Sequence, residues 1–208
     1  MTKLKGILLT EGMHGMISQV EGLAKALDIN YSHHTVETKG FWKVIPPKFT
    51  PISDSVFKKI ECEDVDLIIS CGRKSIIPSL FLKKNSKKKV FNIHIQNPKI
   101  KLDNFDLVVV PEHDNLDGHN VLKTKGAIHY LTSEEIEKDK EYLFSISSKL
   151  RDKNIISLII GGPTQYYDYS DRNIQEIFSK VNYLVKENNL NLVVIPSMRT
   201  PKGTIEHA

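Results

Sequence analysis

Asp106-Leu107-Val108-Val109-Val110-Pro111-Glu112-His113-Asp114-Asn115-Leu116-Asp117-Gly118-His119 decides the fold class of this chain. Four apolar residues in a row, three of them β-branched, read as a strand buried on both faces. Pro111 stops the run, because proline cannot donate to a sheet ladder. Glu112, His113, Asp114, Asp117 and His119 then follow within eight residues. Open α/β sheets place their sites at such strand ends.

The same design recurs on either side. Leu4 to Thr10 reads as a strand, followed by Glu11-Gly12-Met13-His14-Gly15 and a helix through Gln19, Val20, Leu23, Ala24 and Leu27. Strand, glycine turn, helix is a layout that can cradle phosphate on backbone N–H groups. The spacing is G-x-x-G, without a dinucleotide fingerprint or a P-loop lysine. A tight turn that needs glycine for positive φ accounts for it equally well. Ile29 to Val36 reads as a second strand, with His33 and His34 on opposite faces and so a poor metal pair. Ser53 to Ile60 reads as a short helix. Val65 to Ser70 forms the next strand, ending in Cys71-Gly72-Arg73-Lys74-Ser75, where Arg73 offers a bidentate anion contact or a solvated charge. Val90 to Ile95 is another strand, ended by Gln96-Asn97-Pro98.

Beyond the opening stretch, Val121–Lys123 and Ala127–Tyr130 read as short strand pieces, and a long helix runs from Ser133, its N-cap, to about Leu150. This places a boundary near Thr132, with one domain over 1–132 and a second over 133–208. The second begins with Ile155 to Ile160 and the loop Gly161-Gly162-Pro163-Thr164-Gln165. An amphipathic helix over Asp171–Glu187 follows. Leu192 to Pro196 then leads into Ser197-Met198-Arg199-Thr200-Pro201. The βα alternation predicts an α/β fold with a doubly wound parallel sheet. Two strands cannot bury both faces of a second sheet. Either these strands join the first sheet or the second domain is incomplete, and the second is the expectation.

Composition narrows the function classes. The chain has 208 residues, 40% of them apolar and 26% charged, which argues for a folded protein. No run reaches the ~18 apolar residues of a membrane span, and the N-terminus has no signal-like apolar region. The expected location is cytoplasmic. Cys62 and Cys71 give no disulfide or zinc pattern. Twenty-five lysines stand against four arginines, and five of the lysines fall between Lys83 and Lys89. A solvated loop is the plain reading of that run; a peripheral foothold on an anionic membrane is the sharper one. Nucleic acid is not expected, since no aromatic residues interleave with the lysines. A metal site built from His113, Asp114 and His119 is a third reading of the opening loop. Asp and His in turns more often serve as hydrogen-bonding groups.

Several pieces together carry a family resemblance. They are Ser70-Cys71-Gly72-Arg73, Ile95-Gln96-Asn97-Pro98, Phe105 through Asp114, Gly118 with Asn120-Val121, Ile160-Gly161-Gly162-Pro163, and Ser197-Met198-Arg199-Thr200-Pro201. In that order the chain resembles the mitochondrial-fission ELM1-like family. Its bacterial members are described as glycosyltransferases and, in older usage, as nucleoside-diphosphate-sugar epimerases. The pattern departs at Met16-Ile17-Ser18-Gln19, where only Gln19 fits, and at Met198, where arginine is usual.

The resemblance implies a GT-B-like architecture of two Rossmann-like domains, in a family whose members are longer than this chain. It implies a nucleotide-sugar donor as substrate, with no separate cofactor and no resident metal. Glu112, His113 and Asp114 are the candidate bases toward an acceptor hydroxyl. Gly12, Gly15, Gln19, Arg73 and Gln96 are expected to bind ligand on the first domain. Gly161, Gly162, Ser197, Arg199 and Thr200 are expected around the donor phosphates on the second. The 208-residue chain by itself is expected to be inactive. A non-enzymatic adaptor at a membrane surface is the alternative. Oligomeric state is not encoded in any of these signals.

Overall fold

Parallel strands joined by helical crossovers dominate a computed structural model of the chain, which describes residues 3–207 other than 63, 165 and 168. The chain separates into two compact units, Met1–Leu131 and Thr132–Ala208. Gln165, quoted above in the second glycine loop, lies outside the described residues.

In the first unit, β1 (Lys5–Thr10), α1 (His14–Ala26), β2 (Asn30–Thr35), β3 (Leu67–Cys71), α2 (Ile76–Asn85), β4 (Phe91–Ile95), β5 (Leu107–Pro111) and β6 (Val121–Thr124) follow in order. They build one six-stranded sheet in the order β2-β1-β3-β4-β5-β6. Every neighbouring pair is parallel. This is a Rossmann-like α/β sheet. Its central strands are mostly apolar because both faces are covered, with Ser70 of β3 and Asn92 and His94 of β4 as buried polar residues among them. Leu8, Ile69, Ile93, Ile95 and Val109 pack under α1 through Val20 and Ala24. Ile7, Leu9, Ile68, Val108 and Val110 face the other way, against Ile76, Ile77 and Leu80 of α2 and against Val56 and Phe57.

Two aspartates fasten the starts of the strands. Asp66 Oδ2 accepts the Lys5 N–H at 2.8 Å while Oδ1 holds Lys88 Nζ at 2.7 Å. The Lys5 N–H, and next the Lys88 ammonium, keep this carboxyl below its ordinary range. Asp106 Oδ2 accepts both the Asn92 N–H and Lys83 Nζ at 2.7 Å. Two of the five clustered lysines are thus counterions at the N-terminal edge of the sheet, away from the loops that follow the strands.

Pro111 is the last residue of β5 rather than the first beyond it. The Gln96 N–H donates to Val109 O, so residues 107, 109 and 111 turn their backbone groups toward β4. The last β4–β5 pair is Ile95↔Val109, so the missing N–H of Pro111 faces past the end of β4 and costs no ladder bond.

Two local expectations in this unit are corrected. Ser53–Ile60 forms only a 3-10 turn over Asp54–Val56, stabilised by the Ser53 hydroxyl accepting the Ser55 N–H. An isolated bridge pairs Thr38 with Phe57. The stretch 127–130 is not a strand. It crosses α1 at Gly22, where a Cβ would lie 2.5 Å from the carbonyl carbon of His129 and 2.6 Å from its oxygen. Glycine costs a helix about 1 kcal/mol relative to alanine, yet here it admits the passing backbone. Gly22→Ala is therefore expected to destabilise the first unit by about 1–3 kcal/mol despite its better helix propensity, read as a lower urea midpoint at unchanged m-value.

The second unit contains α3 (Ser133–Ile146), β7 (Ile155–Ile160), α4 (Asp171–Glu187) and β8 (Asn191–Pro196). The α3 cap is Thr132, not Ser133. The Thr132 hydroxyl accepts the Glu135 N–H at 3.2 Å and Glu135 Oε2 accepts the Thr132 N–H at 3.0 Å. The capping box needs the carboxylate three residues after the cap, and Glu135 stands in that relation to Thr132. The helix ends at Ile146, and a 3-10 turn covers Ser148–Arg151. β7 and β8 form their own parallel two-stranded sheet. Ile174 and Phe178 of α4 pack on Ile160, with Leu158, Tyr169 and Val194 beside them.

Candidate functional site

In the first sheet the chain steps from β1 outward to β2, then returns past β1 to β3 and onward. The β1/β3 junction is therefore the topological switch point, where open α/β sheets leave a crevice at the strand C-termini. Gly12 follows β1 at φ +82°, and its N–H donates to the Thr10 hydroxyl at 3.1 Å. A Cβ at Gly12 would meet Thr35 Cγ2 at 3.0 Å. The Thr10 hydroxyl also shares a 2.8 Å hydrogen bond with His33 Nε2. Burial holds the His33 imidazole below its ordinary value; Glu21 opposes that shift and His34 adds to it. Gly72 follows β3 at φ +91°. Both glycines thus take a conformation that side chains resist, one on each side of the junction.

Glu11 bridges it. Its Oε1 accepts the Lys74 N–H at 3.1 Å and its Oε2 lies 3.0 Å from Lys74 Nζ. Glu11 does not stand out in the sequence as a site residue. A lone carboxylate after the first strand signals little, and its partner lies 63 residues away. Beneath the pair, burial and then Glu11 push the Cys71 thiol up to about 12, leaving it protonated and inert.

The other predicted residues of this unit are distributed around the same edge. Gly15 sits in the first turn of α1 with open space where a Cβ would be. Gln19 Nε2 donates back to Gly15 O at 3.0 Å, inside its own helix. Arg73 does not point freely into solvent; its Nη2 donates to Lys43 O at 2.8 Å. Gln96, after β4, holds φ at +85°. A non-glycine residue there stores strain of order 1–3 kcal/mol, and such residues gather at functional sites.

Glu112, His113 and Asp114 form one 3-10 turn after β5, two strands away from the switch point. All three are exposed, and His113 Nε2 stands 3.8 Å from Asp114 Oδ1. Asn115 closes the turn in the left-handed region at φ 48°. His119 faces Asp103 at 3.9 Å, and Asp117 pairs with Lys123. His119 thus pairs with Asp103 and not with the adjacent His113 and Asp114. Among the described residues, no three of His, Cys, Asp and Glu converge into a group able to hold a metal.

Other conspicuous residues of the opening stretch build the loop rather than line a site. Asn120 is buried and donates from Nδ2 to Leu102 O and Phe105 O, both at 2.9 Å. A Cβ at Gly118 would lie 2.8 Å from Leu102 Cδ1.

In the second unit the predicted donor residues meet at the C-terminal ends of β7 and β8. A Cβ on Gly162 would fall 2.3 Å from Arg199 O and 2.5 Å from Arg199 Cβ, so the two loops touch backbone to backbone. The Thr200 hydroxyl lies 2.9 Å from Ile160 O and 2.7 Å from Gly161 O, and it accepts the Ser197 N–H at 2.8 Å. The Ser197 hydroxyl accepts the Arg199 N–H at 3.2 Å. Both hydroxyls are therefore engaged in shaping the turn, and Arg199, exposed, is the predicted residue that presents charge. Beside them a cavity of about 510 Å³ lies along β7 and α4, walled by Tyr167, Tyr169, Ile174, Ile177 and Phe178, with Lys180 at its rim.

The chain matches the family described as Mitochondrial fission ELM1 over residues 14–207. It belongs to the mitochondrial fission ELM1 family. Within it, the chain is 35% identical over 48 residues to Mitochondrial fission protein ELM1 of Arabidopsis thaliana. That segment covers 23% of this chain and 11% of the plant protein. Among solved structures, the ligand-free, open structure of CD0873, a substrate binding protein with adhesive properties from Clostridium difficile, is similar over 98% of this chain and 60% of that one. With 14% identity and a TM-score of 0.26, it carries no argument about this ELM1-family chain. No helix among the described residues is long and apolar enough to cross a membrane.

Proposed function

We propose that this ELM1-family chain is part of a glycosyltransferase-like protein that uses a nucleotide-sugar donor in bacterial envelope glycan or lipid glycosylation. The first unit takes the acceptor and the second the donor. The observation that supports the reading is the topological switch point of the first unit, flanked by the positive-φ glycines Gly12 and Gly72. In this scheme Glu112, His113 or Asp114 takes the proton of the acceptor hydroxyl as its oxygen attacks the anomeric carbon. The nucleoside diphosphate leaves with the bonding electrons. Arg199 and the backbone N–H groups near Gly161 and Gly162 would offset its charge. The protein would work in the cytoplasm, at the inner face of the membrane.

Thermal unfolding with a panel of UDP-, GDP- and CMP-sugars tests this. A ligand of the native state at a hundredfold excess over its Kd stabilises by about 2.7 kcal/mol, so one sugar class should raise the Tm. No rise with any member of the panel, on a chain extended to the full length of its family, refutes donor binding. An adaptor at a membrane surface is the second reading, supported by Lys84, Lys87 and Lys89, which are exposed at the edge opposite the crevice. Sedimentation with anionic vesicles and no nucleotide-sugar response would favour it.

A further inference from the structure

At the β1/β3 switch point a carboxylate of the chain itself spans the two loops. Oε1 and Oε2 of Glu11 meet the backbone N–H and the ammonium of Lys74, at 3.1 and 3.0 Å. Two nitrogens converging on a pair of oxygens is how a phosphate or carboxylate group is gripped, and charge-assisted bonds of this kind are the strong ones. The Glu11 side chain is 16% exposed while that of Lys74 is 35% exposed, so the lysine stays within reach of solvent. Gly72 makes the approach possible. A Cβ there would lie 3.1 Å from Glu11 Oε1 and 2.7 Å from Met16 Sδ.

The pair differs from the sheet's structural staples. Asp66 and Asp106 bind strand N–H groups at the N-terminal edge, where no ligand is expected. Glu11 instead spans two loops at the one place where this topology opens a crevice.

We propose that Lys74, with its backbone N–H and its ammonium, forms a cradle for a ligand oxyanion, and that Glu11 is the internal plug such a ligand displaces. The ligand class is a small molecule with a terminal phosphate or carboxylate. The inference concerns this crevice alone and does not depend on glycosyl transfer.

The test uses inorganic phosphate and acetate as separate probes, with thermal unfolding of the full chain as readout. Glu11→Gln removes the competing charge and keeps the side-chain length. It should respond to phosphate at a half-saturating concentration at least about tenfold below that of the parent chain, a difference of about 1.4 kcal/mol. Adding Lys74→Gln to that variant should abolish the response. A phosphate response without an acetate response assigns the cradle to phosphate, and the reverse to carboxylate. Equal responses in the parent and Glu11→Gln chains, or a response that survives Lys74→Gln, overturn the proposal. Should the variants not fold, phosphate titration of the parent chain followed by NMR at the Lys74 amide reads the same competition. An amide resonance that stays fixed while phosphate is raised to its solubility limit then overturns it.

Discussion

Acidification from about pH 7 to about pH 4.5 should cost the first unit roughly 3 kcal/mol of stability through His94 alone. His94 is fully buried in β4, its Nδ1 sharing a 2.8 Å hydrogen bond with the Ser70 hydroxyl and its ring stacked on Phe105. Burial lowers its pKa from the ordinary 6.5 to about 3. Between those values the unfolded chain binds a proton that the folded chain refuses, so stability rises with pH across this window and falls on acidification. The contribution is intact above pH 6.5 and is lost progressively down to about pH 3. His33, also lowered by burial, acts in the same direction. The lowered carboxyls of Asp66, held chiefly by the Lys5 N–H, and of Glu37, held by Lys58, begin to lose their contribution only below their ordinary values of 3.8 and 4.5, in the acid part of this range. Urea unfolding of the parent and His94→Gln chains at both pH values checks this. The variant should be the less pH-sensitive of the two, and equal slopes would contradict the assignment.

The adjacent glycines of the second unit should behave very differently on substitution. Gly162→Ala forces a methyl group to within 2.3 Å of Arg199 O and 2.5 Å of Arg199 Cβ. The obstruction is largely backbone, so the ends of β7 and β8 must separate. That strains the turn in which Thr200 holds Ile160 O and Gly161 O. The expected cost is about 3 kcal/mol, large for a unit whose buried apolar core among the described residues is Ile160, Ile174 and Phe178. Gly161→Ala meets only the Tyr169 hydroxyl at 3.3 Å, which can rotate aside, and should cost less than about 1 kcal/mol. Hydrogen exchange of the β7 and β8 amides separates the two: protection should collapse for the first variant and survive for the second. Matching behaviour in both would refute the close-contact account.

Much of the fold was legible because buried parallel strands write uninterrupted apolar runs. Leu107–Val110 and Leu67–Ser70 lie in such strands near the predicted positions; Ile155–Ile160 is also a strand, but only Ile160 of it is buried. Polar, edge and crossing segments were harder. The run 127–130 is apolar enough to read as a strand, yet its place is set by a backbone crossing at Gly22 that no periodicity reports. Ser133 and Thr132 are both good caps, and the position of Glu135 three residues after Thr132 settles the choice. Around the candidate site, the residue types stood out while their occupations did not. Arg73 donates to the loop at Lys43, and Ser197 and Thr200 spend their hydroxyls on their own turn.

The chain's own residue order determines the βα alternation, the parallel sheet, the glycine loops after the strands and the family to which it belongs, since each rests on a local pattern. Tertiary structure decides what those loops face. The switch point exists only once β3 has been laid on the far side of β1 from β2. Glu11 meets Lys74 only because that ordering brings loops 63 residues apart to one edge. The run from Asp106 to His119 announces chemistry by composition, yet its strand ends two positions away from the crevice. The physical reason is that burial pattern is a local property of a strand, whereas strand order is settled by packing of the whole sheet.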